Sequence, residues 1–135
     1  MELKGKLSEN LKKRHITPKS IFKIVSNSLN GLKCYALEGK SIIIYIIGLI
    51  IEVIMGFVYK INGLEWILII CILGIILSIE LLNTAIEATC DAITKEYNSL
   101  IKIAKDCGSA ATFIIFIVAV LLNIIIFLPK VVALF

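Results

Sequence analysis

Three long runs of Ile, Leu, Val and Phe, over residues 41–59, 64–88 and 110–128, leave this chain no soluble way to fold. Each is long enough for a helix, at about 1.5 Å of rise per residue, to cross the roughly 30 Å hydrocarbon core of a bilayer. Hydrophobic residues make up 59% of the 135 positions and the mean hydropathy is +1.00. A single soluble domain of that composition could not keep its surface wet, so its solvent must be lipid. Pro occurs only at Pro18 and Pro129, and no Gly- or Pro-rich linker interrupts the chain. The expected fold is therefore an all-α membrane protein, one integral membrane domain over residues 20–135 behind a basic tail, residues 1–19.

Charge sets the orientation. Nine of the fourteen Lys and Arg residues lie at or before Lys40, and a basic segment beside the membrane is drawn to anionic cytoplasmic lipid by about 1 kcal/mol per charge. The tail has neither interleaved aromatics nor a recognisable nucleic-acid fold, so no nucleic-acid partner is expected. With the N-terminus cytoplasmic, three spans put the turn from Lys60 to Glu65 outside, the connection from Asp91 to Ser109 inside and the C-terminus outside. Lys95, Lys102 and Lys105 in that connection agree with the assignment. The first forty residues hold no sustained apolar stretch, and no cleavable signal peptide is expected. Cys34, Cys71, Cys90 and Cys107 show no CxxC or Cys/His ligand spacing, and reduced structural thiols are expected. His15, among Lys12, Lys13 and Arg14, reads as a solvated tail position.

Thr17-Pro18 reads as an N-cap followed by Pro at the first helical position. Behind it Ile21, Ile24, Val25, Leu29 and Leu32 recur at helical spacing, opposite Lys19, Lys23, Asn27 and Asn30. That pattern fits an amphipathic helix lying on the membrane surface, or one packed on the bundle.

The main chemical clue lies in the second span. It begins as hydrocarbon from Ile67 to Ile79 and then turns polar, Glu80-Leu-Leu-Asn83-Thr-Ala-Ile-Glu87-Ala-Thr-Cys-Asp91. At about 100° per residue, Glu80, Asn83, Glu87 and Asp91 fall at roughly 0°, −60°, −20° and +20°, a narrow stripe on one helix face. An acid at the centre of a span costs about 2.5–3.5 kcal/mol on insertion scales and marks a functional site by default. A single acid near a helix end could simply reach water, but three acids and an amide on one stripe need several such exceptions. Hard oxygen ligands of this kind suit Mg²⁺, which takes one or two carboxylates and completes its shell with water and phosphate oxygens. A second carboxylate beside a metal-bound phosphate could accept a hydroxyl proton as a general base.

Across the cytoplasmic connection, Lys105-Asp106-Cys-Gly-Ser109 is expected to open the third membrane helix, with Lys105 and Ser109 on one face. Lys105 can meet a polyphosphate as a point charge. Gly39-Lys40-Ser41 imitates the end of a phosphate-binding P-loop, but that motif needs Gly where this chain has Cys34, and a span rather than a strand adjoins it. The Gly-rich and HRD signatures of protein kinases are also absent.

The segment from Glu80 to Ala88, followed by Asp91, by Glu96-Tyr97 and by Ala104-Lys-Asp-Cys-Gly-Ser-Ala-Ala111, resembles the signature of the prokaryotic diacylglycerol kinase family. Weaker similarity covers nearly everything after Ser20, including Asn30-Gly31-Leu32-Lys33 and Glu38. The resemblance implies a homotrimer of three-span subunits with an N-terminal surface helix, seated in a bacterial inner membrane, with active sites shared between neighbours. It implies ATP as phosphoryl donor, Mg²⁺ as cofactor and a lipid alcohol as acceptor. By resemblance Glu80 is the general base, and Glu38 and Glu87 hold the Mg²⁺ that bridges the ATP phosphates. Glu96, Tyr97, Lys105 and Asp106 match nucleotide-binding positions as well, and Asn83 and Ser109 orient the substrate hydroxyl or the base. After Glu38 the family usually has an aromatic-Arg stretch, where this chain has Gly39-Lys40-Ser41 and isoleucines. Glu52, inside the first span, matches no family role.

The expected reaction is phosphorylation of diacylglycerol to phosphatidic acid. Undecaprenol is the alternative acceptor, since the machinery is shared and the Ile/Lys/Asn-rich composition suits Gram-positive bacteria, in which the family often uses that polyprenol. A different class, an oligomeric proton or cation conductor with its acids lining a water path, would pass ions without consuming ATP and would tolerate changes at Lys105 and Asp106.

Overall fold

The computed structural model describes residues 18–38 and 40–134, with side chains for 19–37 and 42–134. Thr17, His15 and most of the basic tail lie outside the described residues, as does the Glu38 side chain. Every described element is an α-helix: α1 Pro18–Glu38, α2 Lys40–Val58, α3 Gly63–Ile93 and α4 Ser99–Val132. Among the described residues α3 and α4 are each long and apolar enough to cross a membrane, and a third crossing is counted when residues 19–37 and 42–58 are taken as one broken span.

The chain divides into two compact units within α1, the first ending at Cys34 and the second beginning at Tyr35. In the first unit Ile21, Ile24, Val25, Leu29 and Leu32 are all exposed, which leaves the apolar face read from the sequence uncovered. In the second unit α3 packs chiefly along α4 and more lightly on α2.

The turn between α2 and α3 is built from residue-level geometry. Lys60 takes a left-handed backbone, φ 49°, and Asn62 then caps α3 in a reciprocal box. The Glu65 N–H donates to Asn62 Oδ1 at 3.0 Å and the Asn62 N–H donates to Glu65 Oε2 at 2.7 Å, which satisfies two of the donors a helix start leaves unpaired. Lys130, in the last turn of α4, reaches the same carboxylate at 3.0 Å. Beneath this clasp Ile61, Ile69, Ile126 and Phe127 form the buried cluster, with Tyr59, Trp66 and Leu122 packed against it. Gly56 is required there: a Cβ would lie 2.5 Å from the Trp66 ring.

At the other end α4 starts at Ser99 and not near Lys105. Asn98 makes the difference, since its Oδ1 accepts from the N–H groups of Leu100 and Ile101 at 2.9 and 3.3 Å, an N-cap of the usual kind. Lys105, Asp106 and Ser109 consequently sit on the second and third turns of a formed helix, and the true connection is the short stretch from Thr94 to Asn98. All four cysteines are free.

Candidate active site

Glu80 is the pivot. Its place on α3 brings it to a lateral groove where three helices meet, lined by Ile44 and Tyr45 from α2, Ile76 from α3, and Thr112 and Phe116 from α4. The carboxylate is half-buried, and most of its surroundings are hydrocarbon. The Tyr45 hydroxyl donates to the Leu73 carbonyl at 3.3 Å, tying α2 to α3 beside the groove. Thr112 turns its hydroxyl proton to the Ser109 carbonyl at 2.8 Å.

One turn further along the stripe, Asn83 Nδ2 donates to Glu87 Oε1 at 3.1 Å. Its other amide atom, Oδ1, is buried and has no hydrogen-bond partner among the described residues. This amide faces Gly108 of α4, where a Cβ would collide with Asn83 Oδ1. Gly108 is buried, and its missing side chain lets the two helices close around the amide. Glu87 itself is exposed.

The stripe ends in an ion pair. Lys105 Nζ reaches Asp91 Oδ1 at 2.5 Å from α4 to α3, with both side chains partly exposed. Exposed pairs of this type are worth about 0–1 kcal/mol, so a phosphate could compete for the ammonium at little cost. Asp106 pairs along its own helix with Lys102 at 3.2 Å, both well exposed. Glu96 and Tyr97 fall in the connection before α4, and Tyr97 is 84% exposed. Ser109 is exposed on α4 one turn after Lys105.

The structure therefore brings Glu80, Asn83, Glu87, Asp91 and Lys105 onto one seam between α3 and α4, with Ser109 and Asp106 on the adjoining turns. Glu96 and Tyr97 stand apart from it, in the connecting stretch. Among the described residues no three His, Cys, Asp or Glu side chains cluster as a self-contained metal cage. Sequence reading missed Tyr45, Thr112 and Phe116 as groove walls. Only Tyr45 left a trace, a lone hydroxyl inside a run of isoleucines. It also missed the partner of Glu52: Asn123 Nδ2 donates to Glu52 Oε1 at 2.6 Å and to the Ala119 carbonyl at 3.0 Å, joining α2 to α4.

Among the described residues every element is helical, two helices are long and apolar enough to cross a membrane, and an acid-and-amide seam opens on an apolar groove, which together define the class as a helical membrane protein. Comparison with known proteins then fixes the family. The family model described as "Prokaryotic diacylglycerol kinase" matches residues 26–127, and the chain belongs to that family. Similar proteins include an undecaprenol kinase of Bacillus subtilis, 40% identical over 57% of this chain and 63% of the relative. A diacylglycerol kinase of Escherichia coli is 36% identical over 56% of this chain and 62% of the relative. A diacylglycerol kinase of Helicobacter pylori is 37% identical over 71% of this chain and 75% of the relative. The chain spans less than two thirds of the length of the first two.

Proposed function

We propose that this chain transfers the γ-phosphoryl group of ATP to the hydroxyl of a membrane lipid alcohol, with diacylglycerol as acceptor and phosphatidic acid as product. The observation that carries the reading is Glu80, half-buried at the mouth of an apolar groove and followed on the same helix face by the Asn83–Glu87 hydrogen bond. The groove takes the hydrocarbon part of a lipid, and its one acid receives the proton that the alcohol must lose.

In this reading the alcohol oxygen attacks the γ-phosphorus as its proton passes to Glu80, and the bridging P–O bond breaks to release ADP. Asn83 holds the Glu87 carboxylate in a fixed orientation, and Ser109 adds a hydroxyl near the substrate. Lys105 exchanges Asp91 for a phosphate oxygen, while Asp106, Glu96 and Tyr97 contact the nucleotide. Mg²⁺ needs only one or two protein carboxylates when phosphates and water complete its shell. An exposed Glu87 fits that demand, with Glu38 as second ligand. Bound there, the ion would neutralise charge on the transferred phosphoryl group, the largest contribution in reactions of this kind.

The assembly is read as a homotrimer of three-span subunits, in a bacterial inner membrane, with α1 on the cytoplasmic surface and the N-terminus inside. Undecaprenol is the alternative acceptor, favoured by the similarity to the Bacillus subtilis undecaprenol kinase. Purified protein given ATP and Mg²⁺ with diacylglycerol or undecaprenol in separate assays is expected to form phosphatidic acid from the diacylglycerol, and to stop when EDTA removes the metal. Phosphate on the polyprenol alone would transfer the assignment to undecaprenol, and phosphate on neither would end the kinase reading.

A further inference from the structure

The turn after α2 places a lysine where the backbone favours glycine. The Ile61 N–H donates to the Gly56 carbonyl at 3.1 Å and the Lys60 N–H to the Phe57 carbonyl at 3.3 Å, the paired bonds of a Schellman motif closing a helix. Its left-handed position falls on Lys60, φ 49°, where glycine is the usual residue because a Cβ is strained there. Closing the helix gives no reason for a lysine, so the strained position points to a task for its side chain.

That side chain borders a cavity. Val58, Tyr59 and Lys60 at the end of α2, with Lys130 and Leu134 at the end of α4, line a space of about 430 Å³. Val58 and Leu134 are exposed hydrocarbon, and the other walls are two ammonium groups and a phenol. Lys130 already answers Glu65 at 3.0 Å, whereas Lys60 has no ion pair among the described residues. Two cations against one acid leave the cavity one positive charge in excess. Tyr59 and Trp66, both packed against the cluster beneath, are residue types that settle at the headgroup level of a bilayer, and lysine stems carry their charge to the same level. A ligand at this depth meets hydrocarbon on one side and cations on the other.

We propose that this cavity binds an anionic phospholipid, its phosphodiester paired with Lys60 and its acyl chains laid against Val58 and Leu134. The single negative charge of a phosphodiester matches the excess charge of the cavity. A zwitterionic headgroup adds an ammonium that the lysines repel, and free phosphate would leave the apolar walls uncovered. The site lies at the far end of α3 from the Asp91–Lys105 pair, and it stands whether or not the chain is a kinase.

Trp66 is the chain's one tryptophan, so its fluorescence reports this end of the molecule. The test reconstitutes the protein in bilayers of phosphatidylcholine and phosphatidylglycerol in equal parts, with bromine on the acyl chains of one lipid or the other. In the wild type brominated phosphatidylglycerol should quench Trp66 with about a fivefold preference, the factor that one lysine contributes beside anionic lipid. Lys60→Gln should quench equally with both lipids, and Lys60→Arg should keep the preference. Lys60→Gly removes the strain together with the charge, so it should lose the preference while melting at the wild-type temperature or higher. Inorganic phosphate, added at constant ionic strength, should leave the preference unchanged. Equal quenching in the wild type, a preference that survives Lys60→Gln and Lys60→Gly, its loss in Lys60→Arg, or its displacement by inorganic phosphate would each overturn the assignment.

Discussion

Gly108 and Asn83 meet from opposite helices, and the seam depends on the first having no side chain. An alanine at 108 would drive its Cβ into Asn83 Oδ1, and the amide would have to abandon the orientation that holds Glu87. Overpacking of this kind costs about 1–3 kcal/mol. The Gly108→Ala variant should therefore melt lower and lose most of its lipid phosphorylation, as thermal denaturation in detergent and an initial-rate assay would show. Wild-type activity with an unchanged melting temperature would mean that the close approach is unimportant. Residues on a single helix were legible from sequence, because helical periodicity alone puts Glu80, Asn83, Glu87 and Asp91 on one stripe. Contacts between helices were not. Neither the Gly108 approach to Asn83 nor the bond from Tyr45 to Leu73 follows from spacing, since each depends on how two helices cross.

α4 illustrates what decides an element's limits. The apolar run begins near Ala110 and the sequence reading opens the helix at Lys105, but Asn98 caps it earlier and adds nearly two turns before Lys105, which carry Lys102. Most side chains of those turns are exposed, and the Asn98 cap satisfies two of their backbone N–H groups. Removing an Asn cap costs about 0.5–2 kcal/mol. Asn98→Ala should fray this part of α4, with faster amide exchange at Leu100 and Ile101 and a raised KM for ATP, while exchange in the apolar turns after Ala110 stays slow. Uniform exchange along the helix would show that the cap carries no weight. The reciprocal box at Asn62 and Glu65 was overlooked rather than hidden, since Asn62-Gly-Leu-Glu65 ahead of an apolar run has the spacing of a capping box. The apolar bodies of α3 and α4 were legible as candidate spans, since the thickness of a bilayer sets the least length such a helix needs.

Among the described residues few side chains are buried, and their main cluster, Ile61, Ile69, Ile126 and Phe127, lies at the end of the bundle carrying Lys60 and Lys130. Most large apolar side chains of α2, α3 and α4 face outwards, as they can where hydrocarbon is the solvent. Polar contacts then take over the work of placing helices. Glu52–Asn123 joins α2 to α4, Tyr45 joins α2 to α3, and Lys105–Asp91 joins α3 to α4. Membrane hydrogen bonds average about 0.6 kcal/mol each and rarely exceed about 1.7, so they select an arrangement more than they stabilise it. Glu52 and Asn123 were visible in the sequence as polar residues within apolar runs, but their pairing across 71 positions needed the fold. The arrangement places at its centre an acid beside an apolar groove, which the proposed function makes a general base, a role worth roughly 10²–10⁴ in rate. The direct measurement is transfer of label from γ-labelled ATP to lipid by wild type and by Glu80→Gln, reconstituted in the same bilayers. The wild type should label the lipid, and the variant should fall by about two orders of magnitude or more while retaining its ATP affinity. A Glu80→Gln protein that labels lipid at the wild-type rate would contradict the account.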